Sequence, residues 1–205
     1  MIRVVCFDIG GVLVHVARTW AEAMQRAGFE STPALEIKLE EWDGLKLYQS
    51  GSLSESKYQE RLVEFLGLSP ADAVKVHNGI LMEATDGTME IVENLNVRGI
   101  ITACLSNTNG MHWVMLTDPE IYPNIELLNF KIASHLLKCH KPDRAIYRTF
   151  ERAVDCKPNE IIFFEDSTTN YQGAIDAGWN AVLIDPQGNQ ETQIRFALAG
   201  FELLV

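Results

Sequence analysis

With 205 residues, 47% of them hydrophobic, the chain can bury a full core, enough for one domain and a substantial insertion. Its 28 acidic and 17 basic residues leave a formal net charge of −11, which argues against general nucleic-acid binding and reads as a solvated surface. No stretch approaches the roughly 20 apolar residues that a membrane span requires, and Cys6, Cys104, Cys139 and Cys156 form no CxxC pair, so a reducing cytoplasm is the expected compartment.

The first predicted element is a strand over 3–8: Ile2-Arg3-Val4-Val5-Cys6-Phe7 runs into Asp8 and then Ile9-Gly10-Gly11-Val12-Leu13-Val14. An apolar run broken by one carboxylate and then two glycines reads as a buried strand delivering an acid to a tight loop, which is how a parallel sheet presents a nucleophile. An aspartate capping a strand-end turn is the plainer alternative. Arg3 ahead of an apolar run invites comparison with a secretory signal, but Asp8 and the glycine pair interrupt any apolar h-region.

From about Val16 to Ala84 the pattern turns helical. Trp20, Ala23, Met24 and Ala27 stand at i, i+3, i+4 and i+7, Tyr58, Leu62, Phe65 and Leu66 keep a similar spacing, and Ser69-Pro70 predicts a further helix from Ala71 to Met82. Trp42, Tyr48 and Gln49 fall in loop-like surroundings (Trp42-Asp43-Gly44 and Tyr48-Gln49-Ser50-Gly51) and are candidates to touch a substrate by position alone, against ordinary packing between helices.

A β-α alternation then takes over, with strands expected near 100–105, 130–133, 161–165 and 180–184 and helices near 87–97, 110–116, 142–154 and 169–177. This predicts an α/β fold, a doubly wound parallel Rossmann-like sheet, with reactive residues at strand carboxyl ends. Ser106-Asn107-Thr108-Asn109 follows the second strand, where a hydroxyl, amides and free helix N–H groups suit a phosphate; a plain N-cap is the alternative. His112 and Trp113 enter the next helix and read as packing residues. Lys141 precedes Pro142, expected in a helix's first turn, where the macrodipole disfavours a cation and a nearby anion is expected to compensate; Lys138 and His140 lie close by in sequence, and a solvated basic loop is the alternative. Cys139 nearby reads as a spectator thiol. Glu165-Asp166 ends the strand Ile161-Ile162-Phe163-Phe164, and two adjacent buried acids are costly unless they share a cation; an oxygen-only set points to Mg²⁺.

Asp8, Ser106-Asn107, Lys141 and Glu165-Asp166 in this order resemble the four motifs of the haloacid dehalogenase (HAD) superfamily. Phe164-Glu165-Asp166, Asn170 and Gly173-Ala174-Ile175-Asp176-Ala177-Gly178 carry the most specific part, and the likeness runs from Asp8 to Asp185. Asp8-Ile9-Gly10-Gly11-Val12 and Leu105-Ser106-Asn107-Thr108-Asn109 are similar to a branch that includes sugar-phosphate phosphatases. The resemblance implies a core (1–15 and 85–205) with an inserted α-helical cap (16–84) and the strand order 5-4-1-2-3. It further implies Asp8 as nucleophile, Ser106 and Lys141 holding phosphoryl oxygens, and Gly10, Gly11 and Asn107 at the substrate. Mg²⁺ is expected on Asp8, the Gly10 carbonyl and Asp166, with Glu165 in support. The expected partner is a small phosphorylated metabolite, with no nucleic acid or membrane, and the expected state a monomer or homodimer.

One position departs from the family: most of its phosphatases carry a second aspartate, the general acid/base, two residues after the nucleophile, and here Gly10 stands there. An acidic leaving group could dispense with that acid, His15 or a water held by Asn109 could replace it, or the chain could bind rather than catalyse. A dehalogenase also lacks that aspartate, but it needs no metal and would leave Glu165-Asp166 an unexplained cost.

Overall fold

The computed structural model describes residues 1–203. Strand β1 spans Val4–Phe7 and a short β2 spans Val14–Val16. Helices α1 (Trp20–Arg26), α2 (Asp43–Gln49), α3 (Glu55–Leu66) and α4 (Pro70–Asn78) follow, and then β3 (Leu81–Ala84). Next come α5 (Thr88–Val97), β4 (Ile101–Ser106), α6 (Gly110–Leu116), α7 (Pro123–Glu126), β5 (Phe130–Ala133) and α8 (Ser134–Leu137). The last elements are α9 (Arg144–Val154), β6 (Ile161–Glu165), α10 (Thr168–Ala177), β7 (Asn180–Leu183) and α11 (Gln190–Gly200).

Five strands pair in parallel in the order β5-β4-β1-β6-β7, the order 5-4-1-2-3 when read from the other edge. All four residues of β1 are buried because both faces of the sheet are covered. Val5 and Phe7 join Ile91, Leu95, Ile194 and Leu198 on one side, while Val4 and Cys6 join Ile146, Phe150 and Trp179 on the other, the alternation of a strand in a three-layer sandwich. Register places the site: Phe7 lies opposite Cys104 of β4 and Phe164 of β6, so Asp8, Ser106 and Glu165 leave three neighbouring strands at the same edge.

The helices between β2 and β3 own a separate core in which Trp20, Tyr58, Leu62 and Val76 are fully buried. The helix expected over 71–82 ends earlier. Leu81–Ala84 instead pairs antiparallel with Val14–Val16, and the Ala17 N–H donates to the Ile80 carbonyl at 2.9 Å. Leu and Met are good helix formers, but a partner strand within reach overrides that propensity. The resulting ribbon joins the helical unit to the sheet. A second difference lies at Pro142, which is outside the helix: the Lys141-Pro142 peptide is cis and α9 starts at Arg144. Helix α11 was not expected at all, since its pattern is diluted by Gln190, Gln193 and Gly200.

A second joint between helical unit and sheet domain is polar. Tyr58 Oη lies 2.7 Å from His77 Nδ1, His77 Nε2 lies 3.2 Å from Asn109 Oδ1, Asn109 Nδ2 lies 3.2 Å from His112 Nδ1, and His112 Nε2 lies 2.9 Å from the His77 carbonyl. Only one proton arrangement satisfies every member: both imidazoles neutral with hydrogen on Nε2, Tyr58 donating to Nδ1 of His77, and Asn109 donating to Nδ1 of His112. The two rings stack with centroids 3.9 Å apart.

Burial pulls His112 down to about 4, and burial, then the neighbouring His112, pull His77 well below its ordinary value. The unfolded pKa, near 6.5, lies above the folded one, so between the two the unfolded chain binds more protons. The stabilisation is therefore whole above about pH 6.5 and is lost as pH falls toward 4, on the order of 3 kcal/mol from His112 alone. The melting temperature is expected to fall by several degrees between pH 7 and pH 5, and the fall should be shallower in His112→Asn; a pH-independent difference between the two proteins in circular-dichroism melts would contradict this.

Candidate active site

Asp8 is held in place by two hydrogen bonds on either side of its Cα: its N–H donates to the Phe164 carbonyl at 2.8 Å, and the Ile9 N–H donates to its Oδ1 at 2.7 Å. The chain then turns tightly, the N–H groups of Leu13 and Val14 both donating to the Ile9 carbonyl at 2.9 Å. Gly11 has φ +79°, and a Cβ there would fall on Asp166 Oδ2 and within 2.6 Å of Arg18 Nη2, so only glycine serves. Gly10 is different, because a Cβ there would meet nothing closer than the Val16 methyls at 3.5 Å. Space therefore does not forbid a side chain at the position of the missing acid.

Three carboxylates, those of Asp8, Glu165 and Asp166, offer oxygens that lie within 4.8 Å of one another. Lys141, fully buried, sets Nζ 3.0 Å from Asp8 Oδ1 and 2.6 Å from Glu165 Oε2. Burial alone pulls Lys141 down, but Asp8 and then Glu165 outweigh it and hold the ammonium above its ordinary value. Burial, and next the Asp8 charge, push Glu165 up to about 8, and the same two causes raise Asp166. The other Glu165 oxygen accepts from the Ser167 N–H at 3.0 Å and from Asn170 at 3.4 Å. Glu165 thus spends both oxygens on protein donors, whereas no hydrogen bond among the described residues engages Asp8 Oδ2. The oxygen-only, closely spaced set fits a hard divalent cation such as Mg²⁺.

Asn107 clasps the backbone of Lys141 from both directions, accepting from its N–H at 2.8 Å and donating to its carbonyl at 3.0 Å. Its amide positions the lysine rather than reaching into solvent. Pro142 in the same loop lies against Gly173, where a Cβ would stand 2.8 Å from the Pro142 ring, so the glycine of the last motif permits the close approach of α10. Ser106, 4% exposed, lines a recess of about 180 Å³ together with Asp8, Gly10 and Asn107. A larger cleft of about 730 Å³ opens over Asp8, Lys141 and Asp166, within the range usual for small-molecule sites.

Asp8, Gly10, Gly11, Ser106, Asn107, Lys141, Glu165 and Asp166 are thus brought to one edge of the sheet. Trp42 is not among them: it packs among Trp20, Tyr58 and Phe65, because a large apolar ring gains more in the helical core than at a wet cleft. Tyr48 is buried too, its hydroxyl donating to Glu55 and accepting from the Met111 N–H, which ties α2 to α6. Gln49 does line both recesses. His15 lies with Thr85, Asp86 and Glu191 in another depression, since Val16 faces the site and neighbouring strand residues point to opposite faces. Asn109 is fully buried with its amide spent on His77 and His112, so it holds no water for the reaction. At Cys139 burial, then Asp143, raise the thiol above its ordinary value, consistent with a spectator.

Arg18 was missed. Its Nη1 lies 2.6 Å from Asp166 Oδ2, and it lines both recesses. A single arginine ten residues after Asp8 carries no spacing signal; only the β2–β3 ribbon turns it back over the site.

A model of haloacid dehalogenase-like hydrolases matches residues 2–178. (S)-2-haloacid dehalogenase 4A of Burkholderia cepacia is 31% identical over 109 residues, 53% of this chain and 46% of that protein, so the match spans about half the length of either. Among solved structures, a predicted HAD-like family hydrolase from Porphyromonas gingivalis superposes with a TM-score of 0.82 at 24% identity, over 97% of this chain and 98% of the other. An aspartate-to-alanine mutant of a HAD family enzyme from Bacteroides thetaiotaomicron, in complex with magnesium and inorganic phosphate, gives 0.75 at 19% identity, over 95% and 100%. L-2-haloacid dehalogenase from Xanthobacter autotrophicus gives 0.63 at 19%, over 96% and 83%. At such identities these structures speak for the fold.

Removing the bridging ammonium should leave Asp8 and Glu165 uncompensated. Lys141→Met is expected to lose about 3–5 kcal/mol of unfolding free energy in urea titrations, and Glu165→Gln added to it should recover a substantial part. Additive losses in the double variant would show that the two groups are not coupled in this way.

Proposed function

The chain belongs to the haloacid dehalogenase-like hydrolases, and from that premise we propose that it is a Mg²⁺-dependent phosphomonoester hydrolase that works through an aspartyl-phosphate on a small phosphometabolite such as a sugar phosphate. The observation that carries this reading is the convergence of Asp8, with one oxygen held and one free, on a cluster of carboxylates suited to a hard cation. The magnesium and phosphate bound together by the Bacteroides thetaiotaomicron enzyme on the same fold support it.

Asp8 Oδ2 attacks phosphorus as the alcohol or acid oxygen leaves; water then cleaves the acyl phosphate, releasing phosphate and restoring the carboxylate. Lys141 and the Ile9 N–H hold Asp8 Oδ1, which leaves Oδ2 for the attack. Ser106, which lines the recess beside Asp8, would hold a non-bridging oxygen where charge gathers, while the Thr108 N–H is already given to Ser134 Oγ at 3.0 Å. Asp8, Asp166 and the Gly10 carbonyl would hold Mg²⁺, which would neutralise the approach of a carboxylate to a phosphate dianion. Glu165 supports from behind by keeping Lys141 in place.

Neither substitute for the missing general acid is at hand, since His15 faces away and Asn109 is spent. The chemistry then suits leaving groups that depart without a proton, such as anomeric, acyl or aryl phosphates. Phosphate release across aryl, acyl, sugar-1- and sugar-6-phosphates is expected to require Mg²⁺, to vanish in Asp8→Asn and to favour acidic leaving groups; metal-independent release would overturn the assignment. Gly10→Asp, whose Cβ would meet nothing closer than the Val16 methyls at 3.5 Å, is expected to raise turnover of sugar-6-phosphates by about 10-fold or more relative to aryl phosphates, the lower part of the usual range for general acid catalysis. An equal effect on both would place the acid elsewhere.

A second reading, hydrolytic dehalogenation of a 2-haloacid through an ester on Asp8, draws support from the Burkholderia cepacia relative and from Arg18, which with Lys141 offsets much of the acidic charge without a metal. Halide release from 2-chloropropionate with EDTA present, and no phosphate release, would put it first. A folded chain that does neither would point to a binding role.

A further inference from the structure

The large cleft carries more positive charge than the proposed phosphoryl chemistry uses. Apart from Asp8, Lys141, Glu165 and Asp166, its ionisable lining is Arg18, Lys38, Lys46 and His140 against the single carboxylate of Glu40. The whole lining holds four permanent cations (Arg18, Lys38, Lys46 and Lys141) and four carboxylates (Asp8, Glu40, Glu165 and Asp166), a cation-richer balance than that of a chain with 17 basic and 28 acidic residues.

The cations come from three segments brought together by the fold. Arg18 follows the ribbon that leaves the sheet, its N–H donating to Glu22 at 2.6 Å. Lys38 lies beside it because Thr19 pairs antiparallel with Lys38 and the Leu39 N–H donates to the Arg18 carbonyl at 3.2 Å. Lys46 sits on α2 one turn before Gln49, which faces the same cleft, and α2 is fastened to the sheet domain by the 2.6 Å bond from Ser134 Oγ to the Gln49 carbonyl. Lys38 and Lys46 make no salt bridge among the described residues, and Arg18 uses one of its five N–H donors on Asp166. Arg18 and the exposed Lys38 and Lys46, the two lysines unpaired among the described residues, line one cleft and offer their charge to an anion beyond the phosphoryl group.

We propose that the substrate carries a second anionic group, a carboxylate or a second phosphate, bound by Arg18, Lys38 and Lys46 while its phosphoryl group lies at Asp8. This rests on the phosphatase reading for the position of the phosphoryl group. The substrate class narrows accordingly from phosphate esters in general to phosphorylated acids and bisphosphates.

The test compares ligands that differ by one charge: 3-phosphoglycerate against glycerol 3-phosphate, and fructose 1,6-bisphosphate against fructose 6-phosphate. Affinities are measured by calorimetry on the Asp8→Asn protein with Mg²⁺. The doubly anionic member of at least one pair is expected to bind about tenfold tighter or more, a difference typical of charge-assisted contacts. Lys38→Met with Lys46→Met should bring that ratio toward unity, and which pair responds identifies the second group as carboxylate or phosphate. Equal affinities within both pairs, or a ratio that survives the double substitution, overturn the proposal. Phosphate release by the unsubstituted protein is followed separately, on the aryl and acyl phosphates whose acidic leaving groups suit the proposed chemistry. Turnover without a binding preference sinks this inference alone, whereas a preference without turnover sinks the phosphatase reading and leaves the anion site standing.

Discussion

Like charge at the ends of two neighbouring parallel strands, β1 and β6, is the constraint around which this molecule is arranged. Two carboxylates about 4 Å apart repel by roughly 4 kcal/mol at an effective dielectric constant near 20, comparable with the whole stability of a small domain. The sheet register nonetheless delivers Asp8 beside Glu165-Asp166, with Glu165 fully buried. Lys141 makes this tolerable by standing between Asp8 and Glu165, and much of its surroundings serves to keep it there. Asn107 holds its backbone from β4's end, the Phe163 ring lies 5.0 Å beneath its ammonium, and Ser167 and Asn170 orient the Glu165 carboxylate that faces it. Four sequence-distant motifs thus form one electrostatic unit.

Under the proposed chemistry the same unit prepares Asp8 for attack. Ile9 and Lys141 fix one of its oxygens while the other is engaged by no hydrogen bond among the described residues, so alignment would precede substrate binding. Arg18 completes the balance at Asp166 and, being half-exposed, is the member of the network that solvent and ligand can reach.

Placement of the helical unit is decided by quite different forces. A two-stranded ribbon fixes its direction, and a closed polar network through Tyr58, His77, Asn109 and His112 fixes its seat. Because each donor and acceptor in that network is matched, tilting the unit would strand buried polar groups, a cost that apolar packing alone would not impose. The walls of the cleft are therefore held at a defined distance from Asp8.

The strands near 3–8, 100–105, 130–133, 161–165 and 180–184 could be read in one dimension because local information suffices for them: short, mostly apolar runs bounded by turn formers describe strands, and β1 and β6 are buried throughout. Asp8, Ser106 and Glu165-Asp166 stood out for the same reason, each being a polar interruption at such a boundary, whereas Lys141 stood out by its place ahead of Pro142. Trp42, Tyr48, His15 and Asn109 could not be assigned that way. Whether an aromatic ring meets substrate or its own core, or whether a strand residue faces one side or the other, depends on partners tens of residues distant. Leu81–Ala84 became strand through β2, and Arg18 and Lys38 became neighbours through a single backbone bridge. Chain order carried the sheet and its chemistry, because those follow from alternation and punctuation along the backbone. Tertiary structure alone decided the cleft wall, because it is assembled from surface residues whose only shared property is where the fold leaves them.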